Sequence, residues 1–185
     1  MIFIEIQNLQ ELEKEHKWKQ VISLLQNNWC QDRNNIDIML RLATECWYIL
    51  SNWDILDLES SYLEFDSIQS ILIETYHYFL NTHSKDDKCL SIFGYMMSLF
   101  PNYFYDGHDK TGKMFFEYEN QGKDMLKLAY RNEPENMFYK ALYLGATSKL
   151  SKLIESTKKE LRYILPNLFP NNTEIEKYFR EVLSK

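Results

Sequence analysis

Residues 107–114, Gly-His-Asp-Lys-Thr-Gly-Lys-Met, set two glycines and a lysine in the Gly-x4-Gly-Lys frame with which a loop cradles nucleotide phosphates. The position after that lysine must carry a hydroxyl to hold Mg²⁺, and here it is Met114. The loop also needs a buried strand before it, and Tyr103–Asp106 is too short and too polar to serve. The frame is therefore read as a polar loop. Four histidines, His16, His77, His83 and His108, form no HExxH and no i,i+4 pair. Asp106, His108 and Asp109 have the chemistry to ligate a cation, yet Asp-Gly-His-Asp is also an ordinary turn. No serine or cysteine stands in a strand–turn–helix context that would make it a nucleophile. The sequence predicts no catalytic residue, no metal site and no cofactor.

Acidic residues carry the stronger signal. From Leu42 to Ser84 there is no Lys or Arg, while Glu45, Asp54, Asp57, Glu59, Glu64, Asp66 and Glu74 all fall in that stretch. Residues 1–109 hold 7 basic and 17 acidic side chains, and residues 110–185 hold 14 and 10. A one-sided field of this kind steers a charged partner. An acidic surface repels nucleic acid, so a basic protein is the expected complement. Trp47, Trp53, Tyr62, Phe65, Tyr76 and Tyr78 lie in the same stretch, and aromatic rings beside desolvated carboxylates are the makings of a binding hot spot. The predicted contact residues are Asp54, Asp57, Glu59, Tyr62, Glu64, Phe65, Asp66 and Glu74.

The elements that must position these residues read as helices. Only 5 Gly and 4 Pro interrupt 185 residues, and 45 % of the chain is apolar, which suits one domain of long helices and excludes a turn-rich β-sandwich. Trp18, Val21, Ile22 and Leu25 form a stripe within Leu9–Asn28; Ile36, Met39, Leu40, Ala43, Trp47 and Leu50 form a second, ended by Ser51-Asn52. Residues 53–65 read as a short helix or an irregular connector. Asp66 and Gln69 suggest a capping box for the next helix, Ser84 a cap for a helix over 85–100, and Thr173 with Glu176 a capping box for the last. Further helices are expected over 114–132, 135–149 and 151–165, with Gly122 standing inside the first. Residues 101–113 form the one long loop.

Prolines 101, 134 and 170, each followed within two residues by Asn, are spaced by 33 and 36 residues, and Leu-Phe-Pro-Asn occurs at both Leu99 and Leu168. Extrapolated upstream, the same step reaches Asp66-Ser67 and Asp32–Asn35. A period near 34 residues is that of a helix–turn–helix array. Around Pro134 the chain resembles a tetratricopeptide repeat junction, with Ala129 at the small position before the proline, Asn136 two after it, and Leu144-Gly145 one residue later than that family's Leu-Gly pair. The resemblance covers chiefly 112–172. It implies an all-α, irregular TPR-like array of about seven to nine antiparallel helices. The chain as a whole also resembles the small acidic helical immunity proteins of bacterial contact-dependent growth inhibition. That likeness implies a cytoplasmic protein that neutralises a cognate basic toxin domain, a nuclease being the natural case. A TPR-like adaptor holding a peptide or protein partner is the alternative.

Three cysteines, Cys30, Cys46 and Cys89, without a CxxC suggest reduced thiols. The acidic N-terminal region lacks the pattern of a signal peptide, and no stretch has the length of a membrane span.

Overall fold

The computed structural model describes residues 2–56, 63–105, 114–147 and 151–184. Helix makes up 76 % of them and no strand occurs among them. Ten α-helices follow in order: α1 (Leu9–Lys14), α2 (Trp18–Gln31), α3 (Ile36–Ser51), α4 (Phe65–Thr82), α5 (Asp87–Leu99), α6 (Phe115–Asn132), α7 (Met137–Thr147), α8 (Ser151–Leu161), α9 (Leu165–Leu168) and α10 (Glu174–Ser184). A 3-10 turn, Pro101–Phe104, follows α5. The count exceeds seven to nine because α1 and α9 are only six and four residues long.

The same hairpin junction occurs three times, at Asp32–Asn35, His83–Asp86 and Glu133–Asn136. In each, the first residue donates its N–H to the carbonyl four back: Asp32 to Asn28 (3.1 Å), His83 to Phe79 (2.8 Å), Glu133 to Ala129 (3.1 Å). The last residue of each junction then donates its N–H to the carbonyl of the first, at 3.1, 2.8 and 3.0 Å. Its side chain caps the next helix by accepting from Ile38, Cys89 and Tyr139 N–H, at 3.2, 2.8 and 3.3 Å. These junctions start at residues 32, 83 and 133, spacings of 51 and 50 residues, not 34. Of the three prolines only Pro134 lies in such a junction. Pro101 opens the 3-10 turn and Pro170 precedes α10, where a ring at the start of a turn costs no hydrogen bond. Asp66-Ser67 is not a turn but the first turn of α4.

Two expected caps are corrected by the same geometry. Asp86, not Ser84, caps α5. At α4 the N-cap position is Glu64, and Gln69 does not reach back to it; its amide donates to the carbonyls of Asn102, Tyr103 and Tyr105 (3.4, 3.4 and 3.1 Å). Thr173 Oγ1 does accept from Glu176 N–H, at 3.4 Å.

The second helices of the three hairpins, α3, α5 and α7, form the inner layer, and α10 lies against it. Tyr178 of α10 packs edge-on to Trp47 of α3 (5.5 Å) and shares a 2.8 Å hydrogen bond with the Tyr95 hydroxyl of α5. Phe179 packs on Tyr95 and on Phe138 of α7, and stacks on Phe169 at 5.5 Å. Phe3 joins the same ring cluster. α6 runs unbroken through Gly122, which lets it close on Gly94 of α5.

Candidate partner-binding face

α3 ends where its last carbonyls turn to side-chain donors: Ser51 Oγ bonds Trp47 O at 2.8 Å and Asn52 Nδ2 bonds Tyr48 O at 2.9 Å. The chain then turns at Trp53–Leu56, closed by Leu56 N–H on Asn52 O (2.9 Å). α4 begins with Phe65. The Trp53 and Phe65 rings meet edge to face at 5.2 Å, Phe65 meets Tyr103 at 6.1 Å, and Tyr103 stacks on Phe100 at 5.3 Å. Phe100 in turn rests on buried Trp47 (5.8 Å). An aromatic ladder thus runs from the core to the surface. Tyr103 is pinned by donating its hydroxyl to Leu50 O at 3.0 Å. Burial, and then the charge of Asp54, raise its pKa above the usual phenol value.

Asp54 follows Trp53 in the chain, and Glu64 and Asp66 flank Phe65; all three are exposed, as is Ile55 at 80 %. Among the described residues none of these three carboxylates has an ion-pair partner. Glu64 accepts a 3.4 Å bond from Ser67 Oγ. Asp66 sits in the first turn of α4, where the helix dipole favours a negative charge. Rings at the centre and unmatched carboxylates at the rim can desolvate and pair Lys or Arg side chains of a partner.

The other expected residues fall elsewhere. Glu74 is two turns further along α4 and is paired with Arg33 Nη1 at 2.9 Å; Arg33 in turn covers the Trp29 ring at 3.8 Å. Glu74 is thus matched by a basic residue from before the basic-free stretch. Glu45 is fully buried, 3.5 Å from Arg41, another residue from before that stretch. Trp47 and Tyr76 are core residues and Tyr78 packs on Trp29. Asp57, Glu59 and Tyr62 lie outside the described residues. Tyr103 and Phe100 were missed by sequence reasoning. Phe100 falls at the end of the helix expected over 85–100 and Tyr103 in the segment expected as a loop, and only their packing through space, Tyr103 on Phe65 and Phe100 on Trp47, reveals them.

The strongest cluster of buried charge is distinct from this face. Arg41 of α3 bonds Glu13 of α1 through Nη2 and Thr173 Oγ1 through Nη1 (3.2 Å). The other oxygen of Glu13 accepts Glu174 N–H at 2.5 Å. One guanidinium therefore ties α1 and the start of α10 to the inner layer, with Arg41 and Glu13 each 1 % exposed. Burial, then the Glu13 charge, push the pKa of Glu45 well above the carboxylate range.

The remaining candidates carry less. Met114 N–H donates to Glu117 Oε2 at 2.6 Å, which sets a carboxylate at the start of α6, where a bound phosphate would need a donor. Residues 106–113, with the rest of the phosphate-loop frame and the Asp106, His108 and Asp109 cluster, lie outside the described residues. Among those described, no group of three or more His, Cys, Asp or Glu is placed to hold a metal ion, and no helix is long and apolar enough to cross a membrane. Cys46 and Cys89 are buried and Cys30 is exposed, all three free.

No family model matches the chain, and neither the curated proteins nor the solved structures include one that matches it.

Proposed function

We propose that the protein is a binding protein of the immunity class, which neutralises a cognate basic toxin domain by covering it with the acidic aromatic face. The carrying observation is the set of three exposed carboxylates without an ion-pair partner among the described residues, Asp54, Glu64 and Asp66, next in sequence to Trp53 and Phe65 of the Trp53–Phe65–Tyr103 ladder. A nuclease holds phosphate with Lys and Arg, so an acidic cover competes with its substrate for the same groups. In plan we read the three helix hairpins as a TPR-like array, with a longer step than that family's. The adaptor alternative needs a free inner groove; the rings of Trp47, Tyr95 and Phe138 on that side are already covered by Tyr178 and Phe179. That favours neutralisation through an outer face.

The test is co-expression with the toxin domain encoded beside the gene. Wild type is expected to protect the cell, and the Asp54→Lys/Glu64→Lys/Asp66→Lys variant to fail while remaining helical.

A further inference from the structure

A cavity of about 300 Å³ opens beneath the N-terminal segment, between residues 4–11 and the junction of α3 with α10. Ile4, Ile6 and Leu9 supply apolar wall. Two exposed carboxylates, Glu5 and Glu11, stand on the same segment, and a third, Glu176, lines the cavity from α10 while being only 1 % exposed. Among the described residues of the lining Arg41 is the single basic one, and its charge is already met by Glu13. The lining is therefore short of positive charge.

Glu176 makes that shortage specific. Its carboxylate accepts from the Asn171 backbone N–H and, through Oε1, a long bond from Asn171 Nδ2 (3.4 Å), while its Oε2 has no hydrogen-bond partner among the described residues. Arg180 Nη1 is 4.0 Å away and donates to the carbonyls of Phe169 and Asn171 instead. Burial raises the pKa of Glu176 against the opposing pull of Arg41, the Asn171 hydrogen bonds and Arg180. A carboxylate withdrawn from water without a full set of donors is costly, and a ligand that brings a donor and a positive charge relieves that cost. Apolar walls with one buried acceptor are also the usual build of a small-ligand site.

We propose that this cavity is a binding site for an organic cation, an alkyl guanidinium or ammonium whose chain lies along Ile4, Ile6 and Leu9 and whose head group pairs with Glu176. Glu5 and Glu11 draw the cation in from solvent. The same chemistry is presented by a free amine or guanidine and by an arginine side chain of a protein, and the experiment separates the two. The site shares no residue with the acidic aromatic face.

Calorimetry of the full chain with butylguanidinium chloride, at constant ionic strength, is expected to give saturable one-to-one binding. N-butylurea, the uncharged shape match, should bind at least about tenfold more weakly. Glu176→Gln should weaken butylguanidinium binding at least about tenfold, the scale of losing one partner of a buried charge pair. The double variant Glu5→Gln/Glu11→Gln changes only exposed side chains, keeps the fold, and should weaken binding about threefold through lost steering charge. It carries the test if Glu176→Gln fails to fold. The peptide acetyl-Gly-Arg-Gly-amide decides the source. Affinity equal to that of butylguanidinium assigns the site to an arginine of a protein, and binding of butylguanidinium alone assigns it to a free cation. Lack of saturation at about 10 mM, equal binding of N-butylurea, or unchanged affinity in every folded variant overturns the proposal; that ceiling is already weaker than about 3 kcal/mol of binding. No protein partner enters the measurement, so its failure leaves the reading of the acidic face standing, and the reverse.

Discussion

Gly94 of α5 and Gly122 of α6 face each other so closely that a Cβ on either would lie 2.8 Å from the carbonyl oxygen of the other. At Gly122 such a Cβ would also meet Ser98 N at 2.8 Å and Met97 Cβ at 2.9 Å. The obstacles are mostly backbone, so no side-chain rotation relieves them. Absence of a side chain at two positions thus sets the spacing of α5 and α6, and with it the path from the second hairpin to the third.

Gly122→Ala is expected to destabilise the protein by about 1–3 kcal/mol, the usual cost of overpacking, despite the helix propensity gained with alanine. Gly94→Ala should cost a similar amount. Gly145→Ala in α7 is the control: its Cβ would meet nothing within 4 Å, and the change should be neutral or stabilising by about 0.5 kcal/mol. Urea midpoints of the three variants check the contrast. Equal effects at Gly122 and Gly145 would remove the close approach as the reason for a glycine there.

Arg41→Ala leaves Glu13 buried without its cation. Removing one partner of a buried pair costs about 3–5 kcal/mol, and this one also frees Thr173 at the start of α10. The variant should therefore lose protection from hydrogen exchange first in α1 and α10. A loss spread evenly over all helices would show that Arg41 does not clamp the two ends.

Glu45 sets a pH dependence whose sign is fixed by its environment. Burial and the Glu13 charge raise its folded pKa well above the ordinary value of 4.5. Between 4.5 and the raised value the unfolded chain is ionised at this position while the folded chain keeps the proton. Folding then takes up a proton, and stability falls as pH rises through that window, by at most about 1.4 kcal/mol per pH unit. Glu45→Gln removes the titration. The two proteins should share one pH trend below about 4 and diverge above about 5 in favour of the variant, in stability measured by urea at each pH. Glu176, raised in the same direction, is common to both. A difference that does not grow with pH rejects Glu45 as the titrating group.

Much of the fold was legible because local rules decide it. The stripe Ile36, Met39, Leu40, Ala43, Trp47 and Leu50 gave α3 to within a residue. Prolines do not mark the repeat, because a proline only shows where its ring is tolerated. The recurring chemistry is the carboxamide or carboxylate cap at Asn35, Asp86 and Asn136, which is also visible in the chain. The candidate face was half legible. Unmatched acids can be counted along a sequence, but their partners arrive through space: Arg33 reaches Glu74 over 41 residues. Tyr103 reaches Leu50 over 53. A window of sequence sees neither.

That distinction sharpens the functional prediction. Glu74 is matched by Arg33, so Glu74→Lys should disturb an exposed pair worth at most about 1 kcal/mol and leave partner binding nearly unchanged. Asp54, Glu64 and Asp66 have no such partner among the described residues, and their reversal to Lys should weaken binding of the basic toxin domain by several kcal/mol, on the order of the cost of like-charge juxtaposition. Association with wild type should be fast and should slow as salt rises, because screening shortens the steering field. Phe65→Ala should act differently: it removes the ring between Trp53 and Tyr103 and should speed dissociation with little change in the salt slope. Surface plasmon resonance over a salt series, with circular dichroism as the fold control, separates these effects. Full protection of toxin-expressing cells by the triple-reversed variant would falsify the site and move the contact to the basic second half of the chain.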